Sequence, residues 1–162
     1  DNRRSRGLGD VYKRQRYDIF WGLTHMKDTL SFSIPLKNRL LSLIQSDDYY
    51  LSYNAAHAIP NIYLSDSDFL ESLFSTYLNS SDASTKNAMF RKLRAAPRLS
   101  ENLIVKSREC LPTMAPQEIS SILKLYEKHH VKDSISLEAV SSLIKHPNPY
   151  VVNLVKSFLM KL

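Results

Sequence analysis

The sequence contains very little glycine: only Gly7, Gly9 and Gly22 occur among its 162 residues. Phosphate-binding loops, dinucleotide fingerprints and nucleophile elbows all need glycines where the backbone turns tightly or approaches a ligand. The Asn-Gly, Asp-Gly and Gly-Gly pairs that mark tight β-hairpins are also missing. The sequence therefore excludes these glycine-dependent catalytic loops and argues against a hairpin-rich β fold.

Cysteine and metal-ligand patterns are equally sparse. Cys110 is the single cysteine, so no disulfide can form within the chain, and we expect a reducing compartment such as the cytoplasm. The five histidines show no zinc-binding spacing with Cys110. They are His25, His57, His129, His130 and His146. We predict no catalytic residue, no metal site and no cofactor.

Long apolar runs are absent too, and none approaches the roughly 18 residues that a membrane span needs. The hydrophobic content of 43% nevertheless suits a folded domain. The net charge is +6, but half of it comes from the first fifteen residues, which contain five Lys or Arg and two Asp side chains. The remaining chain is only mildly basic, which is a weak argument for nucleic acid binding.

The segment Ser5 to Gln15 has an unusual amino-acid sequence. Its back-translation resembles a transposase-type sequencing adapter read in frame through its mosaic end. Such segments are set aside before the fold is considered. We therefore expect residues 1–15 to be a non-native tail, residues 16–34 to be a leading helix or linker, and the chain to be a fragment of a larger protein.

Apolar residues recur with helical spacing throughout the rest of the chain. This periodicity predicts eight helices, and a ninth near Asp18 to Thr29. The first three cover Leu36–Gln45, Tyr50–Ile62 and Asp68–Leu78. The apolar faces of the other five run from Thr85 to Leu93, Leu103 to Leu111, Ile119 to Tyr126, Val140 to Ile144 and Val151 to Leu159, and Ala115 with Pro116 marks a helix start. Asp68 with Glu71 has the spacing of a capping box, and Asn148 before Pro149 is typical of a helix start.

The helices repeat in pairs. Leu51, Thr85 and Val151 each follow a short polar turn and begin the second helix of a pair. They are separated by 34 and 66 positions, the latter being two steps of 33. A fixed period of helix pairs is the sequence signature of a solenoid.

A short acidic turn, an apolar residue at the start of the second helix, alanines and then leucine resemble HEAT repeats over residues 35–162. The resemblance implies a right-handed α-solenoid of about four antiparallel helix pairs. The chain departs from that pattern at Ser52, Lys86 and Val152, where HEAT repeats often place an arginine. Its period is also closer to that of tetratricopeptide repeats, whose tryptophan and glycine are missing from residues 35–162. An irregular helical bundle is the alternative.

Two groups of side chains are candidates for a binding surface. The first is basic and comprises Lys86, Arg91, Arg94 and Arg98, the last three at spacing i, i+3, i+7. The second is aromatic and comprises Tyr49, Tyr50 and Tyr53 at the start of a second helix. A basic helix face could also be an ordinary solvated surface, and tyrosines also pack at repeat junctions.

These observations predict a non-catalytic module for protein–protein interaction or scaffolding. One alternative is a solenoid that binds nucleic acid through the basic helix face. The other is the recognition arm of an enzyme whose catalytic domain lies upstream. No membrane span is expected.

Overall fold

The structure is a computed structural model that describes residues 34–161. Residues 1–15, expected to be a tail, and the helix expected near Asp18 to Thr29 lie outside the described residues. All regular secondary structure between residues 34 and 161 is helical, which confirms the all-α prediction for this part of the chain.

Eight α-helices occur in the described part of the chain, in agreement with the predicted number. They are α1 (Ile34–Ile44), α2 (Tyr49–His57), α3 (Ser67–Asn79), α4 (Ala83–Ala95), α5 (Glu101–Cys110), α6 (Pro116–His129), α7 (Ser134–Ser142) and α8 (Pro149–Leu159). Short 3-10 helices follow α2, α5 and α7, at Asn61–Ser65, Leu111–Thr113 and Leu143–Lys145.

The described residues divide into two compact units, the first ending at Ala96 and the second beginning at Pro97. In the first unit α1 packs against α2 and α3, while α4 packs against α2 and α3. Lys37 near the start of α1 pairs with Asp66 before α3, and Gln45 just after α1 donates to Thr76 late in α3 (3.2 Å). Because both pairs join corresponding ends, α1 and α3 run in the same direction.

The second unit has a similar set of helix contacts: α5 packs against α7, α6 against α8, and α7 against α8. The hydroxyls of Ser107 on α5 and Tyr126 on α6 are hydrogen-bonded at 2.7 Å, and both residues are buried. Near the ends of α6 and α8, Lys161 Nζ lies 2.8 Å from Glu127 Oε1. In each unit, therefore, the first helices of successive pairs contact each other, and so do the second helices.

One predicted helix end and one predicted cap were wrong. The second helix was expected to continue to Ile62, but it ends at His57, because Pro60 has no backbone N–H and disfavours a helical conformation at Ile59 before it. Asp68 was expected to cap the next helix. The cap is Asp66 instead, whose Oδ1 accepts the Phe69 N–H at 3.1 Å. The predicted cap at Asn148 before Pro149 is confirmed.

The core of the first unit lies between α3 and its neighbouring helices. Leu73 and Phe74 on α3 are completely buried, as are Met89 and Leu93 on α4. Aromatic contacts extend this core. The ring centroid of Tyr77 lies 6.0 Å from that of Phe74 and 6.2 Å from that of Phe90. The apolar face of α3, which repeats about every four residues, is the side that this core buries.

We expect Leu73→Ala to lower the free energy of unfolding by about 2–5 kcal/mol, because it leaves a cavity where the buried side chain was packed. Ser72→Ala is the matched control, since Ser72 is the exposed neighbour on the same helix, and it should change stability by less than about 0.5 kcal/mol. Urea unfolding followed by circular dichroism measures both. Equal effects of the two substitutions would contradict this placement of α3.

Candidate functional site

The three predicted tyrosines form an aromatic surface on α2, in which Tyr49 and Tyr50 are exposed and Tyr53 is half-buried. Tyr49 and Tyr53 are stacked with ring centroids 5.7 Å apart, and Tyr50 meets Tyr49 edge-on at 5.4 Å. Tyr49 is 45% and Tyr50 63% exposed. His57 continues the row, with its ring centroid 4.5 Å from that of Tyr53. Since residues four apart share a helix face, Tyr49, Tyr53 and His57 make one aromatic row along α2.

Two hydrogen bonds place α4 beside this row. The hydroxyls of Ser52 and Thr85 are 3.2 Å apart and buried. Farther along, Lys92 Nζ donates to the Ile59 carbonyl oxygen at 2.7 Å. Each bond joins residues 33 positions apart, so α2 and α4 run in the same direction in one constant register.

The basic residues of the candidate surface are only partly brought together. Arg91 and Arg94 are exposed and share one side of α4. Lys86 lies elsewhere, because its ammonium group is 5.4 Å from the centre of the Tyr77 ring on α3. Arg98 is exposed but is not part of the helix, since α4 ends at Ala95 and Pro97 follows. The expected stripe at i, i+3, i+7 was therefore wrong at Arg98.

The charges of α4 act directly on the aromatic row. Burial lowers the pKa of the His57 imidazole below its ordinary value, and the positive charges of Lys92 and Arg91 lower it further. Burial also lowers the pKa of the Lys92 ammonium group. Lys92 donates to a carbonyl just beyond the C-terminus of α2, where the helix dipole favours a cation.

A cavity of about 380 Å³ lies at the other end of these two helices. Residues of the α1–α2 and α3–α4 turns and of the adjoining helix ends line it, including Asp47, Tyr49, Asn79 and Asp82. No Lys, Arg or His side chain belongs to its lining. Asp82 Oδ2 also accepts the Thr85 N–H at 2.5 Å and caps α4. The cavity thus combines two carboxylates, polar oxygens and one aromatic ring.

Sequence reasoning missed two features of this surface. His57 could have been found, because it follows Tyr49 and Tyr53 at regular spacing of four. The pairing of Lys92 with Ile59 has no local signal, since the two residues meet only through the packing of α2 on α4. The Phe90 ring, which precedes Arg91 in the sequence, is 8% exposed and belongs to the core.

No group of three or more His, Cys, Asp or Glu side chains between residues 34 and 161 is arranged to hold a metal ion. Burial raises the pKa of the Cys110 thiol, and the negative charge of Glu109 adds to this. The thiol is therefore less readily ionised than an ordinary cysteine. Among the helices in the same range, none is long and apolar enough to cross a bilayer.

Comparison with known protein families, curated proteins and solved structures found no match. The resemblance to HEAT repeats therefore stays a prediction from the sequence.

We expect Arg91→Ala to raise the pKa of His57, because it removes a positive charge that disfavours the imidazolium ion. Arg94→Ala removes the same charge one turn away and should have a smaller effect, since Arg94 is not among the groups that shift the His57 pKa. NMR titration of the imidazole resonances measures both variants. Equal shifts in the two would contradict the placement of Arg91 beside His57.

Protonation of His57 lowers the stability of the folded chain relative to the unfolded chain. The folded pKa of His57 lies below the unfolded value of about 6.5, so the unfolded chain binds the proton more readily. The contribution of His57 is fully present above that value and is lost as the pH falls through the folded pKa. Denaturant unfolding across this range should show a smaller loss for Arg91→Ala than for the unchanged chain.

Proposed function

We propose that this chain is a non-catalytic, α-solenoid-type module that binds a partner protein through α2 and α4. The repeat proposal is supported by lateral contacts of nearly constant spacing. Ser52 with Thr85 and Ile59 with Lys92 are 33 residues apart, and Glu127 with Lys161 are 34 apart. The predicted period was 33–34. Equivalent contacts at a constant spacing are what stacked helix pairs produce.

The binding surface is the aromatic row of Tyr49, Tyr53 and His57 together with Tyr50, and the neighbouring exposed Arg91 and Arg94 of α4. Tyrosine and arginine are enriched at protein–protein interfaces and dominate their binding energy. A tyrosine ring offers a large contact area with few rotatable bonds, so that little conformational entropy is lost on binding. The observation that carries the proposal is this group of rings, of which Tyr49 and Tyr50 are exposed, beside the two exposed arginines.

The same observation favours one second candidate, a single-stranded nucleic acid. Aromatic rings beside cations can stack bases and contact phosphates. Such binding would weaken steeply with salt, because each neutralised phosphate releases counterions. A protein partner that depends on aromatic contact would be less sensitive to salt.

Selection of peptides from a random display library on the full chain tests the proposal. Enriched peptides should bind Tyr50→Ala and Arg91→Ala at least about fivefold more weakly, which corresponds to about 1 kcal/mol per contact. Tyr150→Ala is the matched aromatic control, because Tyr150 is also exposed and also the second residue of its helix. Arg39→Ala, an exposed arginine on α1, is the charge control.

Peptides whose affinity is unchanged in Tyr50→Ala and Arg91→Ala would place binding elsewhere and contradict the proposal. A labelled oligothymidine serves as the nucleic acid probe in the same assay. If it bound tightly and its affinity fell steeply between about 50 and 200 mM salt, the nucleic acid function would replace the protein function.

A further inference from the structure

Charges are segregated along α2 and α4. Neither helix contains Asp or Glu, and α4 carries Lys86, Arg91, Lys92 and Arg94. Aspartates precede both helices, at Asp47, Asp48 and Asp82. Because the two helices run in the same direction, the aspartates of both turns lie at one end of the pair, while Arg91 and Arg94 lie toward the other.

The acidic end is a defined cavity. Asp47 and Asp82 line it together with Tyr49, and its lining contains no basic side chain. A carboxylate pair favours an ammonium or guanidinium group, and an aromatic ring beside it adds a cation–π contact. Its volume of about 380 Å³ lies in the range of small-ligand pockets and accommodates one lysine or arginine side chain.

The basic end lies on the exposed surface of α4. Arg91 and Arg94 are exposed on the same side of α4, and the positive charge of Arg91 reaches His57 at the end of the aromatic row. Lys92 is held against the Ile59 carbonyl and adds its charge beneath this surface. Carboxylates of a partner would be attracted here. Tyr49 lines the cavity and also begins the aromatic row, so the row connects the two ends.

We propose that this face binds an extended partner segment that carries a lysine or arginine in the cavity and acidic side chains over Arg91 and Arg94. This inference rests on the proposed protein-binding function and adds the charge pattern of the partner. Asp82 and Arg91 are nine residues apart on or next to α4, which is about 14 Å along the helix axis. An extended chain covers that distance in about four residues. The basic and acidic residues of the partner are therefore about four positions apart.

Synthetic peptides of identical composition test the spacing. Each has about twelve residues, blocked ends, one lysine, two glutamates and neutral residues elsewhere. Two peptides place the lysine about four positions from the glutamates, one in each chain direction, and a third places them adjacent. We expect one spaced peptide to bind the full chain about fivefold more tightly than the adjacent one, the ratio that one partly exposed ion pair provides. NMR titration of the isotope-labelled chain measures the affinities.

Substitutions in the chain test whether the cavity binds the lysine of the peptide and whether Arg91 binds its glutamates. Asp82→Asn retains a helix-capping side chain while removing the charge, and Asp47→Asn removes the other cavity carboxylate. Both should abolish the preference for the spaced peptide. Asp48→Asn is the matched control, because Asp48 caps α2 in the same way but does not line the cavity. Arg91→Ala should weaken all three peptides alike.

Three results would overturn the inference. They are equal affinity for spaced and adjacent peptides, a preference that persists in both Asp82→Asn and Asp47→Asn, and no measurable binding of any of the three. If display-selected peptides of another pattern still depended on Tyr50 and Arg91, the proposed function would stand while this inference failed. Tighter binding of oligothymidine that depended on Arg91 would overturn both.

Discussion

The packing of α2 on α4 decides where the candidate binding residues of the first unit lie. A buried hydroxyl pair, Ser52 with Thr85, and the bond from Lys92 to the Ile59 carbonyl hold the two helices in one register. Buried hydroxyls are costly unless they are hydrogen-bonded. A shift along either helix would break the contact between the two hydroxyls, and Ser52 Oγ would keep only its bond to the Tyr49 carbonyl oxygen at 3.1 Å. This register brings Arg91 to His57 and aligns the aspartates that precede both helices.

The sequence predicts the helices well because their apolar faces repeat locally. All eight expected helices between residues 34 and 161 are present. Their ends are less predictable where several signals compete. Pro60 ends the second helix even though Ile59 and Ile62 continue its apolar pattern. Asp66 caps α3 although Asp68 has the better spacing with Glu71. The backbone is still extended at Asp66, and its side chain accepts the Phe69 N–H, whereas Asp68 already lies within the helix.

The candidate surface is predictable only in part. The tyrosines share a face because their spacing on one helix determines it. The basic residues depend on neighbours that are distant in sequence. Lys86 is drawn to the Tyr77 ring on α3, and Lys92 to the end of α2. Arg98 is separated from the helix by Pro97. The positions of the basic side chains are therefore determined by tertiary contacts and by the end of the helix, which the local sequence does not show.

The hydroxyl pair of Ser52 and Thr85 also affects the charge around the cavity at this end of α2 and α4. Ser52 stands where HEAT repeats, which this chain resembles, often place an arginine, and an arginine there would lie close to the aspartates of the turns. A neutral contact between hydroxyls joins α2 to α4 without using any cation. Since Asp47 and Asp82 line a cavity that contains no basic side chain, their charge can attract a cation from outside. Ser52 also lines this cavity, so its hydroxyl contact with Thr85 joins the two helices there without adding a positive charge.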